Sequence, residues 1–294
     1  LAKLRAAKAP PQQASTPGSL GDGEALEGNE SAPDYVKMAL TSRVYDFVKE
    51  TPLVHAGGLS ERLDAIVHLK REDLNPSYSF YVRGAYAKLA ELKAAGYSEV
   101  FTVSIGSRGY ALACVARRLG LSATIVMPEG TPVSRSSMIE RKGQSVVRHG
   151  STMSDAQAEA VRLSAAAGGV LLQAHDDPAV IAGSATCGIE IMRQHGSAVV
   201  AAMAHGGPGT AGAGIPAQGI PALDAVFAPV GGGSLLAGVA SAVKAISPRT
   251  KVRSPLANVR FGELRVLESL AATVCHAVSS HVPGLVQNML PVHA

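Results

Sequence analysis

Apolar and polar positions fall into two regimes along the chain. Residues 1–33 mix Ala, Pro, Gln, Ser and Gly without an apolar period. Such a composition cannot bury enough surface to fold alone and marks an extended tail or linker. From Asp34 the pattern changes: Tyr35, Met38, Leu40, Val44, Tyr45 and Val48 recur at helical spacing and predict a helix ahead of Thr51-Pro52. Short β-rich runs then alternate with Ala-rich helical segments. The runs are Ala65–Leu69, Val100–Val103, Ala123–Met127, Ser145–Arg148, Val170–Gln173 and Ala225–Val230. Strands separated by helical patterns of about 10–15 residues predict right-handed βαβ units, hence an α/β fold of parallel sheets flanked by helices.

Two stretches interrupt this rhythm. Residues 195–221 contain Gly-Gly-Pro-Gly and Ala-Gly-Ala-Gly between a helix and a strand, where an ordinary connection has roughly two to six residues. An inserted loop is expected there. After Val252 the βα alternation fades, leaving Arg253, Arg260 and Arg265 near a helical-looking run, Glu263–Ser280. Residues 253–294 are expected to be a divergent extension.

Composition narrows the class. With 294 residues and 47% hydrophobic content the chain can fill a real core. Its 27 basic and 23 acidic residues give +4, a balance that permits contact with nucleic acid or acidic surfaces without demanding it. Cys114, Cys187 and Cys275 lie far apart and form no metal-ligand pattern, so buried thiols in a reducing compartment are expected. No stretch has the roughly 20 apolar residues of a membrane-spanning helix. Lys3, Arg5 and Lys8 precede the first acid, Asp22, as in a chain trimmed of an organellar presequence, with mitochondrion favoured over plastid.

An ordered series of motifs carries the candidate chemistry. Thr51-Pro52-Leu53 is followed by Leu69-Lys70-Arg71-Glu72-Asp73-Leu74-Asn75-Pro76, then by Ser79-Phe80-Tyr81-Val82-Arg83-Gly84-Ala85. Val126-Met127-Pro128 closes a strand, Asp176 and Pro178 precede Val180-Ile181-Ala182-Gly183, and Pro229-Val230-Gly231-Gly232-Gly233-Ser234-Leu235 leads into a helix. From about Asp34 to Val252 this series resembles the threonine dehydratases, or threonine ammonia-lyases, of the fold-type II pyridoxal-phosphate class. Serine racemases and cysteine synthases share the fold, but the Lys-Arg-Glu-Asp block favours the dehydratase branch. The resemblance implies a two-lobed, tryptophan-synthase-β-like architecture, with a smaller lobe at about 84–165 and a larger lobe of 34–83 plus 166–252.

The family's chemistry needs a lysine after Ser-Phe, because its amine attaches pyridoxal phosphate and later takes the substrate's α-proton. Here that position is Tyr81. A phenol cannot make that attachment, and with an ordinary pKa near 10 it is a poor base at neutral pH. The family's Ser-Ala-Gly-Asn-His-type turn has become Ser104-Ile105-Gly106-Ser107-Arg108. The asparagine-histidine pair is gone, Ile105 adds bulk, and Arg108 supplies a cation able to meet an anion. Lys88 lies seven residues beyond Tyr81 on the same helix face, a displacement of about 10 Å, too far to substitute without remodelling.

The glycine turn is better kept. Gly231, Gly232 and Gly233, with Ser234 opening a helix, present backbone N–H groups that suit a phosphate or another anion. The segment that contacts the cofactor's pyridine nitrogen in this family does not follow Lys251-Val252. With three parts of the site altered, no bound cofactor is expected beyond an anion at the glycine turn, and no catalytic residue is assigned.

Plainer roles suit the remaining residues. Arg83 reads as a helix-start arginine making surface contacts and Gly84 as a small residue for close packing. Lys70, Arg71, Glu72 and Asp73 read as a solvated or ion-paired strand edge. His149, His175 and His205 show no ligand spacing, so no metal is implied. Tyr81 reads as a side chain filling the space left by lysine and cofactor.

The favoured function is therefore a non-catalytic dehydratase-like structural component of a larger, organellar assembly with protein subunits as partners. An RNA-containing assembly such as a mitochondrial ribosome is one specific form, with Lys3, Arg5, Lys8, Arg253, Arg260 and Arg265 as contacts to partners or to the RNA backbone. Two alternatives remain: a regulatory partner of an active dehydratase, and an active lyase with a relocated lysine.

Overall fold

The computed structural model describes residues 33–172, 176–204, 223–254 and 275–279. Two sheets organise the chain. In the first, β3 (Glu99–Val103), β4 (Ser122–Met127), β5 (Ser145–Arg148) and β6 (Val170–Leu171) lie in the order β5-β4-β3-β6, and every pair is parallel. Helices α4 (Ser107–Leu119), α5 (Val133–Glu140) and α6 (Met153–Ala167) make the crossovers. These strands are short and apolar because helices cover both faces, and Val100, Ile125, Val126 and Met127 are almost wholly buried. Chain punctuation fixes where the crossovers start and stop. Thr152 and Asp155 form a reciprocal capping box at the start of α6, and Gly120 and Gly168 end α4 and α6 in the left-handed conformation.

The second sheet departs from the expected parallel pattern. Its strands are β1 (Leu53–His55), β2 (Ile66–Lys70), β7 (Ala225–Phe227), β8 (Lys251–Arg253) and β9 (Cys275–Ser279), in the order β1-β2-β9-β7-β8. Only β7 and β8 are parallel, while β1–β2, β2–β9 and β7–β9 are antiparallel. A single short helix, α2 (Gly57–Leu63), joins β1 to β2, which is too little chain for a parallel crossover.

Two boundaries are corrected by the structure. Residues 275–279 are not helix: β9 pairs with β2 on one side and β7 on the other, and two ladders of backbone bonds outweigh a weak helical period. Part of the expected divergent extension is thus an interior strand of this sheet. Likewise α7 (Pro178–Ala204) runs through the first ten residues of the expected 195–221 loop, because Ser197–Ala204 is an unbroken helix-compatible run ahead of the first glycine pair. Residues 205–221 lie outside the described residues.

The remaining helices set the site. The first predicted helix is confined to α1 (Tyr35–Leu40), with a 3-10 turn at Val44–Asp46. Helices α3 (Tyr81–Ala94), α7 and α8 (Ser234–Ile246) pack so closely that glycines mark the crossings. A Cβ on Gly84 would lie 2.7 Å from Val180 Cγ1, and one on Gly183 would lie 2.5 Å from the Arg83 carbonyl. Gly84 thus has the packing role expected for it. Tyr81 packs against both main apolar clusters, one around Val82, Leu89 and Ile125, the other around Ile191, Val226 and Val239.

Candidate active site

The start of α3, the turn after β3 and the turn after β7 converge on Tyr81. Tyr78, in the left-handed region at φ 56°, helps turn the chain into α3, and the Ser77 and Ser79 hydroxyls lie 3.3 Å apart beneath it. Tyr81 is the first helical residue. Its ring lies 4.2 Å from that of Phe80, centroid to centroid, and its hydroxyl is 4.0 Å from where a Cβ on Gly231 would stand. The residue read as the lysine replacement and the glycine turn are therefore neighbours.

The glycine turn leads directly into α8. Gly233 caps the helix at φ 89°, a conformation that favours glycine. Gly231 and Gly232 are exposed and Ser234 is buried. With the positive end of a 13-residue helix behind it, the turn has the form of a phosphate cradle.

At the second turn, Ser104 is buried and its hydroxyl accepts from the Gly106 and Gly109 amides at 3.3 and 2.9 Å. Ile105 does not crowd the interior as expected: it is 51% exposed, turned outward by the extended backbone that leads into α4. Ser107 opens α4. Arg108 folds inward, where one terminal nitrogen donates to the Val103 carbonyl and the other, Nη1, is buried without an acceptor among the described residues. Burial pulls the Arg108 pKa down, against an opposing effect of the Tyr81 hydroxyl.

Lys88 reaches the same place from the next turns of α3. It lines a cavity of about 40 Å³ together with Tyr81, Ala85, Thr102 and Arg108. Its amine is not idle, since it is 2.9 Å from Asp177 and 3.3 Å from Glu91. Burial alone would lower the Lys88 pKa, but the bonds and charges of those carboxylates carry it above the ordinary value. Such an amine stays protonated and is a poor nucleophile at neutral pH.

Behind the site lies a feature that the sequence reading placed at the surface. Arg83 is completely buried, as is Lys70, and both meet Glu190 of α7. Arg83 donates to Glu72 at 2.7 and 2.8 Å, to Glu190 at 2.6 and 2.9 Å, and to Thr186 at 3.0 Å. Lys70 donates to Glu190 and the Thr51 carbonyl at 2.5 Å and to Gln194 at 3.0 Å. Burial favours a neutral Glu190, yet Arg83 and then Lys70 hold its pKa below the usual carboxylate value. Strand and turn geometry divides the charged block: Lys70 and Glu72 face in, whereas Arg71 and Asp73 pair at 2.7 Å near solvent as expected. Glu190 was missed. The available signal was one carboxylate inside the apolar run Cys187-Gly-Ile-Glu-Ile-Met192.

Other expected sites divide plainly. Arg253 is exposed on β8, whereas Lys3, Arg5, Lys8, Arg260 and Arg265 lie outside the described residues, as do His175 and His205. Cys114 and Cys187 are buried. Among the described residues no group of three or more His, Cys, Asp or Glu has metal-binding geometry. Three histidines do gather, the His68 ring lying tilted against His55 at 5.6 Å and edge-on to His195 at 6.4 Å, centroid to centroid. Their separation in sequence hid this cluster.

Comparison with known proteins places these observations. The family described as "Pyridoxal-phosphate dependent enzyme" matches residues 44–259. The chain is 39% identical over 224 residues to "Threonine dehydratase, mitochondrial" of Schizosaccharomyces pombe, covering 76% of this chain and 34% of that protein. It is 38% identical over 222 residues to "Threonine dehydratase biosynthetic, chloroplastic" of Arabidopsis thaliana, covering 75% and 33%. The solved processed form of threonine deaminase isoform 2 from Solanum lycopersicum superposes with a TM-score of 0.64 at 36% identity, over 75% of this chain and 54% of the other. The chain thus spans about a third of the length of these curated relatives. The family match corrects the expectation of no cofactor, because its members depend on pyridoxal phosphate, and the site is accordingly one to be tested with that group. The residues fit its phosphate at Gly231–Gly233, while residue 81 offers a phenol in place of an attaching amine.

Proposed function

The chain belongs to the pyridoxal-phosphate-dependent enzyme family, and from that membership we propose that it is a threonine dehydratase-like protein without lyase activity of its own, kept as a structural component of a larger organellar assembly. One observation carries the reading: at the start of α3, beside the glycine turn, the side chain is the phenol of Tyr81. Pyridoxal phosphate, when bound in this family, supplies an electron sink for reactions at an amino acid's α-carbon. In this chain the glycine turn can bind and orient the phosphate group, but residue 81 can neither attach the cofactor nor take a proton as a lysine would. General acid–base catalysis alone contributes about 10²–10⁴-fold. The nearest alternative amine, Lys88, is engaged by Asp177 and Glu91.

The test is direct. Purified protein is mixed with pyridoxal phosphate and threonine, 2-oxobutanoate and ammonia are assayed, and borohydride treatment is followed by intact mass. The expected result is no turnover and no lysine adduct. Threonine turnover together with a reduced adduct mapped to Lys88 would overturn the reading.

The assembly part is supported by the exposed Arg253 on β8 and by the basic residues Lys3, Arg5 and Lys8 in the sequence. A mitochondrial setting is supported by those same basic residues and by the name of the fission-yeast relative. Size fractionation of native extract, with protein and RNA partners identified in the fraction, should place the chain in a stoichiometric complex. A free monomer would count against the proposal.

A further inference from the structure

We propose that the cavity beside Tyr81 is a binding site for a small monovalent anion, a halide or the carboxylate of a one- or two-carbon acid, held by the guanidinium of Arg108. This goes beyond the proposed function and concerns a site distinct in chemistry from the glycine turn.

The first ground is an unanswered donor. Arg108 Nη1 is buried and meets no acceptor among the described residues, while the other terminal nitrogen is occupied by the Val103 carbonyl. Arginine keeps its charge at any physiological pH, and a buried charge without a partner is costly. No described carboxylate pairs with it. Asp177 and Glu91, which reach the cavity through Lys88, are taken up by that amine.

The second ground is space of the right kind. The cavity beside Arg108 measures about 40 Å³, where roughly 10–15 Å³ on this measure holds one water. It therefore accommodates about three waters or one small anion, and no bulky one. Tyr81, Ala85, Thr102 and Leu112 belong to its mostly apolar lining, and Lys88 beside them is already balanced by Asp177 and Glu91, which leaves Arg108 as the cation to hold the anion. Apolar walls sharpen the preference, because an anion that sheds its water there faces the Arg108 guanidinium in a medium of low polarisability.

The experiment uses the full chain. Thermal unfolding is followed at constant ionic strength while sodium gluconate is replaced by chloride, bromide, formate or acetate. Small anions should give a saturable rise of about 2–4 °C in Tm, and Arg108→Gln should abolish it. Arg117→Gln, which removes an exposed cation from the same helix, should leave the rise intact. Equal responses to gluconate and chloride, or a saturable rise that survives in Arg108→Gln, would overturn the site. Should Arg108→Gln fail to fold, bromide-soaked crystals of the unaltered protein decide by anomalous scattering. A peak beside Arg108 Nη1 supports the site, and none there with bromide bound elsewhere refutes it. Neither readout involves threonine turnover, so this inference and the proposed function fail separately.

Discussion

Two buried residues argue opposite cases about what a side chain can be asked to do. Arg83 sits in a network where each neighbour balances another: two cations, Lys70 and Arg83, against two carboxylates, Glu72 and Glu190, with Thr51 and Thr186 closing the remaining bonds. Removing one member of such a network leaves charge stranded. Arg83→Met is expected to cost about 3–5 kcal/mol by urea unfolding, whereas Arg71→Met, at the exposed pair with Asp73, should cost about 0–1 kcal/mol. Equal costs would mean that the buried network contributes no more than a surface pair. Tyr81 presents the reverse situation, a site where one atom type decides chemistry and packing tolerates the change. In Tyr81→Lys the new amine lies beside the glycine turn, so borohydride should fix one pyridoxal-phosphate unit to the protein by mass. Threonine turnover should remain far below a dehydratase's, because Ser107-Arg108 still stands in place of asparagine and histidine. Absence of any fixed cofactor would show that the glycine turn no longer holds the phosphate in register.

Helices α3, α7 and α8 depend on what is missing from their surfaces. A Cβ on Gly238 would lie 2.5 Å from the Ile181 carbonyl oxygen and 2.6 Å from the Ala185 nitrogen, both backbone atoms of α7 that have no rotamer to escape through. Gly238→Ala should therefore push α8 off α7 at a cost of about 1–3 kcal/mol, although alanine favours a helix by about 1 kcal/mol. Gly130→Ala, with open space around it, is the control and should be near neutral in the same chemical denaturation. These crossings also show why some elements were legible and others were not. Runs such as Ala123–Met127 announce themselves by dense apolar, β-branched content. Strands β1 and β8 have three residues each, too few for a period, and β9 is defined by partners more than 200 and about 50 residues away in sequence. Gly84 could be recognised as a packing glycine from its place in the motif, but no local signal says that Gly238 will meet α7. At the site, Tyr81 and the glycine turn were evident from motif order. The inward turn of Arg108 and the arrival of Glu190 were not, because both depend on tertiary neighbours.

The whole molecule's response to acid follows from the seam between β2 and α7, where two groups with perturbed protonation meet. His68 on β2 is half-buried, with Nδ1 unpartnered, and burial followed by its neighbours His55 and His195 lowers its pKa below the ordinary 6.5. The unfolded chain thus binds a proton more readily than the fold as pH drops below about 6.5, and stability that is full above that pH declines through it. Glu190 on α7 has a pKa below the usual carboxylate value, burial being outweighed by Arg83 and Lys70. Its contribution is present above the unfolded carboxylate pKa near 4.3 and is lost as pH falls through the lower folded value. The signs agree, so acid should destabilise the protein in two stages, a shallow one between about pH 7 and 5 and a steeper one below about pH 4. Thermal melts across this range test the order. His68→Gln should flatten the upper stage and leave the lower one, because Lys70, Arg83 and Glu190 are untouched. Glu190→Gln should do the reverse at a lower starting stability, since a neutral amide no longer balances two buried cations. A melting temperature that rises as pH falls from 7 to 5 would mean that His68 gains a proton on folding, and the seam would have to contain an acceptor for it.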